Sequence, residues 1–108
     1  MKGSYSFSPA YDLLNTRIHV PDESRMALDL FADDFETESF RLNGFHTMGD
    51  FELLAQRPGL QSARFRKFSD SISGCKDAVH SLIDRSRLIE PCKELYRTHL
   101  EDSLRALQ

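Results

Sequence analysis

The chain has 108 residues and 12.4 kDa, 40% apolar and 29% charged, with a mean hydropathy of -0.46. That allows one domain and excludes a membrane-spanning, collagen-like or wholly disordered chain. Seventeen acidic against fourteen basic residues leave a net charge of -3, which offers nucleic acid no general attraction.

No apolar run approaches the roughly 20 residues of a spanning helix, and no apolar signal core follows Met1-Lys2-Gly3-Ser4. The expected location is therefore the cytoplasm, with no membrane contact. Cys75 and Cys92 fall on different predicted helices without a C-x-x-C spacing, so neither a structural disulfide nor a zinc site is expected.

From the N-terminus, Ser4-Tyr5-Ser6-Phe7 alternates polar and aromatic residues, as a short half-buried strand does. Ser8-Pro9 then reads as a helix start, Ser8 as N-cap and Pro9 at the first helical position, with one or two turns up to Leu14. Ile18-His19-Val20 reads as extended and is stopped by Pro21-Asp22. Residues 21 to 40 carry seven acids against Arg25 alone, a local charge of -6.

Met26, Leu28 and Leu30 alternate with Ala27 and Asp29, and Phe40 and Leu42 with Ser39 and Arg41. The economical reading is a hairpin with an acidic tip at Asp33 to Glu36, its second strand closed by Asn43-Gly44. Thr47 and Asp50 have the spacing of a capping box, followed by Met48, Phe51, Leu54 and Ala55 on one helical face until Pro58-Gly59.

Phe65, Phe68, Ile72, Cys75, Val79 and Leu82 recur every three or four residues, the seam of one long amphipathic helix in which Gly74 is a weak point. A last helix from Pro91 has Leu95 or Tyr96, Leu100, Leu104 and Leu107 as its stripe. The expected fold is thus α+β and mostly helical, one domain over 1–108, with strands and hairpin in 1–46 and helices in 47–108.

Chemistry-bearing motifs are scarce. His19, His46, His80 and His99 are scattered without metal-ligand spacing, and Asp33-Asp34-Phe35-Glu36 lacks the glycine and regular oxygens of a calcium loop. Arg57, Arg64, Arg66 and Lys67 form a basic cluster, but Phe65 and Phe68 between them are expected to face the core rather than nucleic acid. No phosphate loop, nucleophile elbow or Ser/His/Asp set is present.

The segment Ser8-Pro9-Ala10-Tyr11-Asp12-Leu13-Leu14-Asn15-Thr16, preceded by Tyr5-Ser6-Phe7, resembles a stretch in the C-terminal lobe of HipA-like serine/threonine kinase toxins of toxin–antitoxin systems. The hairpin, Asn43-Gly44 and Asp50-Phe51-Glu52-Leu53-Leu54-Ala55 look like the family's next elements, so the resemblance covers about residues 4 to 60. It implies that Asp12 is the metal-binding aspartate, the counterpart of the Asp in the Asp-Phe-Gly motif, and that the helices form a kinase C-lobe platform.

Mg²⁺ takes hard oxygen ligands, one or two carboxylates together with ATP phosphates, which is the chemistry such an aspartate supplies. In that family the phosphate-covering loop, the lysine, the catalytic-loop aspartate and the metal-binding asparagine all precede this segment. Only a few residues precede it here, so the chain alone is expected to lack a catalytic base and most of the ATP site, with Mg²⁺ and ATP held only once a kinase N-terminal half completes it. The alternative is a non-catalytic interaction module derived from such a kinase, binding an antitoxin-like or other protein. Aspartate in the first turn of a Ser-Pro-capped helix could also simply complement the helix dipole.

Overall fold

The structure is a computed structural model that describes residues 3–11 and 13–108. The described residues are helical and irregular, with no strand or sheet among them, so the expected α+β fold is corrected to an all-helical one. After a 3₁₀ turn at Thr16–Ile18 come α1 (Glu38–Asn43), α2 (Met48–Gln56), α3 (Ser62–Ser73), α4 (Lys76–Arg85) and α5 (Glu90–Ala106).

Two antiparallel helical hairpins carry the architecture. In the first, Ser69 of α3 donates to the Met48 sulfur of α2 at 3.5 Å and Arg66 lies 3.8 Å from Glu52. In the second, Glu101 of α5 accepts from Lys76 of α4 at 2.9 Å and lies 2.8 Å from His80, while Arg97 reaches Asp84 at 2.5 Å. The lysine and histidine together hold the Glu101 carboxyl below its usual range. The 3₁₀ turn packs on α5, and Arg25, Met26 and His46 gather near the C-terminal end of that helix.

The expected hairpin fails at both strands. Thr37 accepts the Phe40 N–H at 3.0 Å as an N-cap, and Gly44, at φ 71°, closes the other end in the left-handed conformation with its N–H on the Phe40 carbonyl. With both ends capped, Glu38–Asn43 forms a helix and Phe40-Arg41-Leu42 is no strand. Met26 to Leu30 is then left without a pairing partner and runs irregularly. The acidic tip does turn sharply: Asp33 and Asp34 both take positive φ, and Phe31 and Phe35 meet edge to face at 5.3 Å beneath the Arg57 guanidinium.

The expected strand Tyr5–Phe7 is likewise absent, and the Ser8 to Leu14 turn is not helical over its described residues. A strand exists only through ladder bonds to a neighbour, and none lies beside residues 4–7 among the described residues. Ile18-His19-Val20, expected to be extended, instead starts inside the 3₁₀ turn, with the His19 and Val20 N–H groups both donating to the Thr16 carbonyl at 2.9 Å.

The long predicted helix divides at Gly74-Cys75. Gly74 donates back to Asp70 at 2.9 Å, but Cys75 donates to Ile72 three residues back at 3.1 Å, which tightens the backbone and lets α4 set off in a new direction. The single seam is broken as a result. Phe65 is buried, whereas Phe68 is 63% and Ile72 39% exposed, and the core consists of Phe31, Phe65, Ile83 and Leu104.

Phe65→Ala and Leu104→Ala should therefore each cost about 2 to 5 kcal/mol in urea melts, and Phe68→Ala less than about 1 kcal/mol. Equal losses at Phe65 and Phe68 would restore the continuous seam.

Candidate functional site

The described residues of the Ser8 to Leu14 segment are presented to solvent. Ser8, Pro9 and Ala10 are exposed, and so are the apolar residues beside them: Tyr5 is 98% exposed, Phe7 fully so, Tyr11 74%, Leu13 84% and Leu14 68%. Five large apolar side chains within ten residues thus face water. The expected metal ligand Asp12 lies outside the described residues. Among the described residues no group of three or more His, Cys, Asp or Glu side chains is placed to hold a metal ion.

A second feature is the most buried polar cluster of the chain. The Asp50 carboxylate, 2% exposed, accepts the Thr37 hydroxyl at 2.5 Å on one oxygen and the Thr47 N–H at 2.9 Å on the other. The His46 Nδ1 lies 3.5 Å from that second oxygen, with its ring stacked on Phe40 at 4.3 Å. Ser39 and Thr47 hydroxyls meet at 3.1 Å, and the Asn43 amide donates to the Ser39 carbonyl at 2.8 Å.

Burial works to raise the Asp50 carboxyl, but the Thr37 hydroxyl, the Thr47 N–H and His46 outweigh it and hold it below its ordinary value. Both carboxylate oxygens are engaged by donors that belong to the two helix starts. The cluster is therefore a joint between α1 and α2, and it holds neither a free carboxylate for metal nor an activated hydroxyl. Thr47 and Asp50 were legible from their spacing; Thr37 and Ser39 were not, because they meet Asp50 and Thr47 across the turn at Gly44, and nothing in the spacing singled out His46, four residues before Asp50.

The basic cluster does not form a single patch. Arg57 lies over Phe31 and Phe35 at 4.7 and 5.5 Å, and Arg66 turns to Glu52. A hollow of about 640 Å³, open to solvent, lies between the start of α2 and the end of α5 and is lined by Arg25, Phe45, Met48, Asp102 and Arg105 among others. Its charges are partly spent internally, Arg25 over the Phe45 ring at 4.6 Å and Arg105 within 3.7 Å of Asp102. No described helix is long and apolar enough to cross a membrane. Comparison with protein-family models, with curated proteins and with solved structures returned no match.

Proposed function

We propose that this chain is the C-terminal part of a HipA-like serine/threonine kinase, supplying the metal-binding Asp12 and a helical platform to a partner that carries the ATP-binding and catalytic-base parts. The residues that support this are Ser8-Pro9-Ala10-Tyr11-Asp12-Leu13-Leu14-Asn15-Thr16. The observation that carries the partner is the exposure of Tyr5, Phe7, Tyr11, Leu13 and Leu14 around that motif.

The area involved favours a large partner. The chain exposes 8995 Å² where a compact monomer of its mass exposes about 6,100 Å², and its radius of gyration is 16.5 Å where about 13 Å is ordinary. The difference far exceeds the roughly 800 Å² that one side of a standard interface buries. A strand neighbour supplied by the partner would also give residues 4–7 the ladder bonds they lack here. Mg²⁺ and ATP belong to the completed kinase, and the reading carries a cytoplasmic location with it.

The same exposure also favours a second reading, a non-catalytic module that binds an antitoxin-like protein through this stretch. Coexpression with a protein bearing the phosphate-covering loop, the lysine, the catalytic-loop aspartate and the metal-binding asparagine separates the two. The kinase reading expects a stable heterocomplex that binds Mg²⁺-ATP in calorimetry, with no binding or phosphoryl transfer by this chain alone. A stable complex that ignores Mg²⁺-ATP supports the interaction module, and transfer by the isolated chain overturns both.

A further inference from the structure

The 3₁₀ turn Thr16–Ile18 is the element that ties the exposed N-terminal segment to the helices, and its seat is α5. Each of the two elements carries a buried polar atom with no hydrogen-bond partner among the described residues, Nε of Arg17 in the turn and Nδ1 of His99 in α5. An arginine Nε–H can only donate. A neutral imidazole can turn an accepting nitrogen toward it, whereas an imidazolium cannot, and places a second positive charge against the guanidinium. The charged groups acting on His99 are Arg17 from the turn, Arg25 from the segment before α1 and Asp102 from α5 itself. Two cations oppose one carboxylate. His19, at the end of the turn, is exposed to water.

We propose that this contact is an acid-released latch, in which protonation of His99 expels Thr16–Ile18 from α5 and frees the segment leading back to Ser8. The latch is independent of any kinase role, since it uses only the turn and α5. Burial first, then Arg17 and Arg25, lower the His99 pKa from its ordinary 6.5, against the opposing pull of Asp102. A histidine whose docked value lies below its free value binds a proton on release. Docking is therefore at full strength above about pH 6.5, and the released fraction rises up to about tenfold for each pH unit below it until the docked value is reached.

Hydrogen exchange of the 108-residue chain reads this directly, because the His19 and Val20 N–H groups are bonded only while the turn is formed. Corrected for intrinsic rates, their protection should fall several-fold between pH 7.5 and 5.5 while that of α4 holds. His99→Gln should flatten the dependence and His19→Gln should leave it. The His99 imidazole should also titrate below its ordinary 6.5 in the NMR spectrum. Flat protection in the unaltered chain, an equal fall in His99→Gln, parallel loss across α4, or a His99 midpoint at or above 6.5 would each overturn the latch. Should His99→Gln fail to dock at pH 7.5, the His99 midpoint in the unaltered chain decides the matter.

Discussion

Asp50→Ala is expected to be among the most damaging single substitutions in the chain, at about 2 to 4 kcal/mol in urea melts. It removes an acceptor that satisfies the Thr37 hydroxyl and the Thr47 N–H together, and with it the carboxylate half of the capping box at the start of α2. Asp50→Asn keeps the shape but turns an NH₂ toward one of two donors, so about 1 to 2 kcal/mol is expected.

The charge adds a pH signature. A carboxyl held below its ordinary 3.8 stabilises the fold in full above that value, and the stabilisation is lost as pH falls through the lower folded value. Between pH 5 and pH 2 the unaltered chain should thus lose more stability than Asp50→Asn does. A change of under 0.5 kcal/mol in Asp50→Ala, or identical acid profiles for the parent and Asp50→Asn, would show that the α1–α2 joint does not depend on this carboxylate.

The second large effect is on activity. On the proposed kinase reading, Asp12→Ala should leave the heterocomplex assembled, since that reading places the contact on the exposed Tyr5, Phe7, Tyr11, Leu13 and Leu14. Phosphoryl transfer should fall by at least about three orders of magnitude, because a carboxylate that holds Mg²⁺ against the phosphates stabilises the charge developed in transfer. Stability of the isolated chain should change by less than about 1 kcal/mol. Unchanged Mg²⁺-ATP binding and transfer in the Asp12→Ala complex would move the reading to the interaction module. Strong destabilisation by Asp12→Ala would instead mark a structural aspartate.

Part of this protein is written in local sequence, because the forces concerned act over three or four residues. Thr47 with Asp50 specifies the start of α2, Gly44 takes the positive φ that its place after Asn43 suggested, and Pro91 sits in the first turn of α5. The amphipathic stripes of 62–106 are equally local, and they do form helices.

What depended on distant neighbours was not legible. Short alternation at 26–30 and 40–42 is compatible with a strand, but a strand needs a partner across its whole length, whereas Thr37 and Gly44 cap a helix from within. Gly74 costs little in an isolated helix, yet the packing of α4 on α5 resolves that weak point into a break, so Phe68 and Ile72 leave the seam that periodicity assigned them. The Asp50 cluster joins residues 13 positions apart, and the 3₁₀ turn Thr16–Ile18 meets α5 from far along the chain, which no spacing rule reaches. Capping, turn chemistry and stripe period are thus properties of the chain, and the tertiary structure decides which stripe is buried, which alternation pairs, and which polar atoms meet.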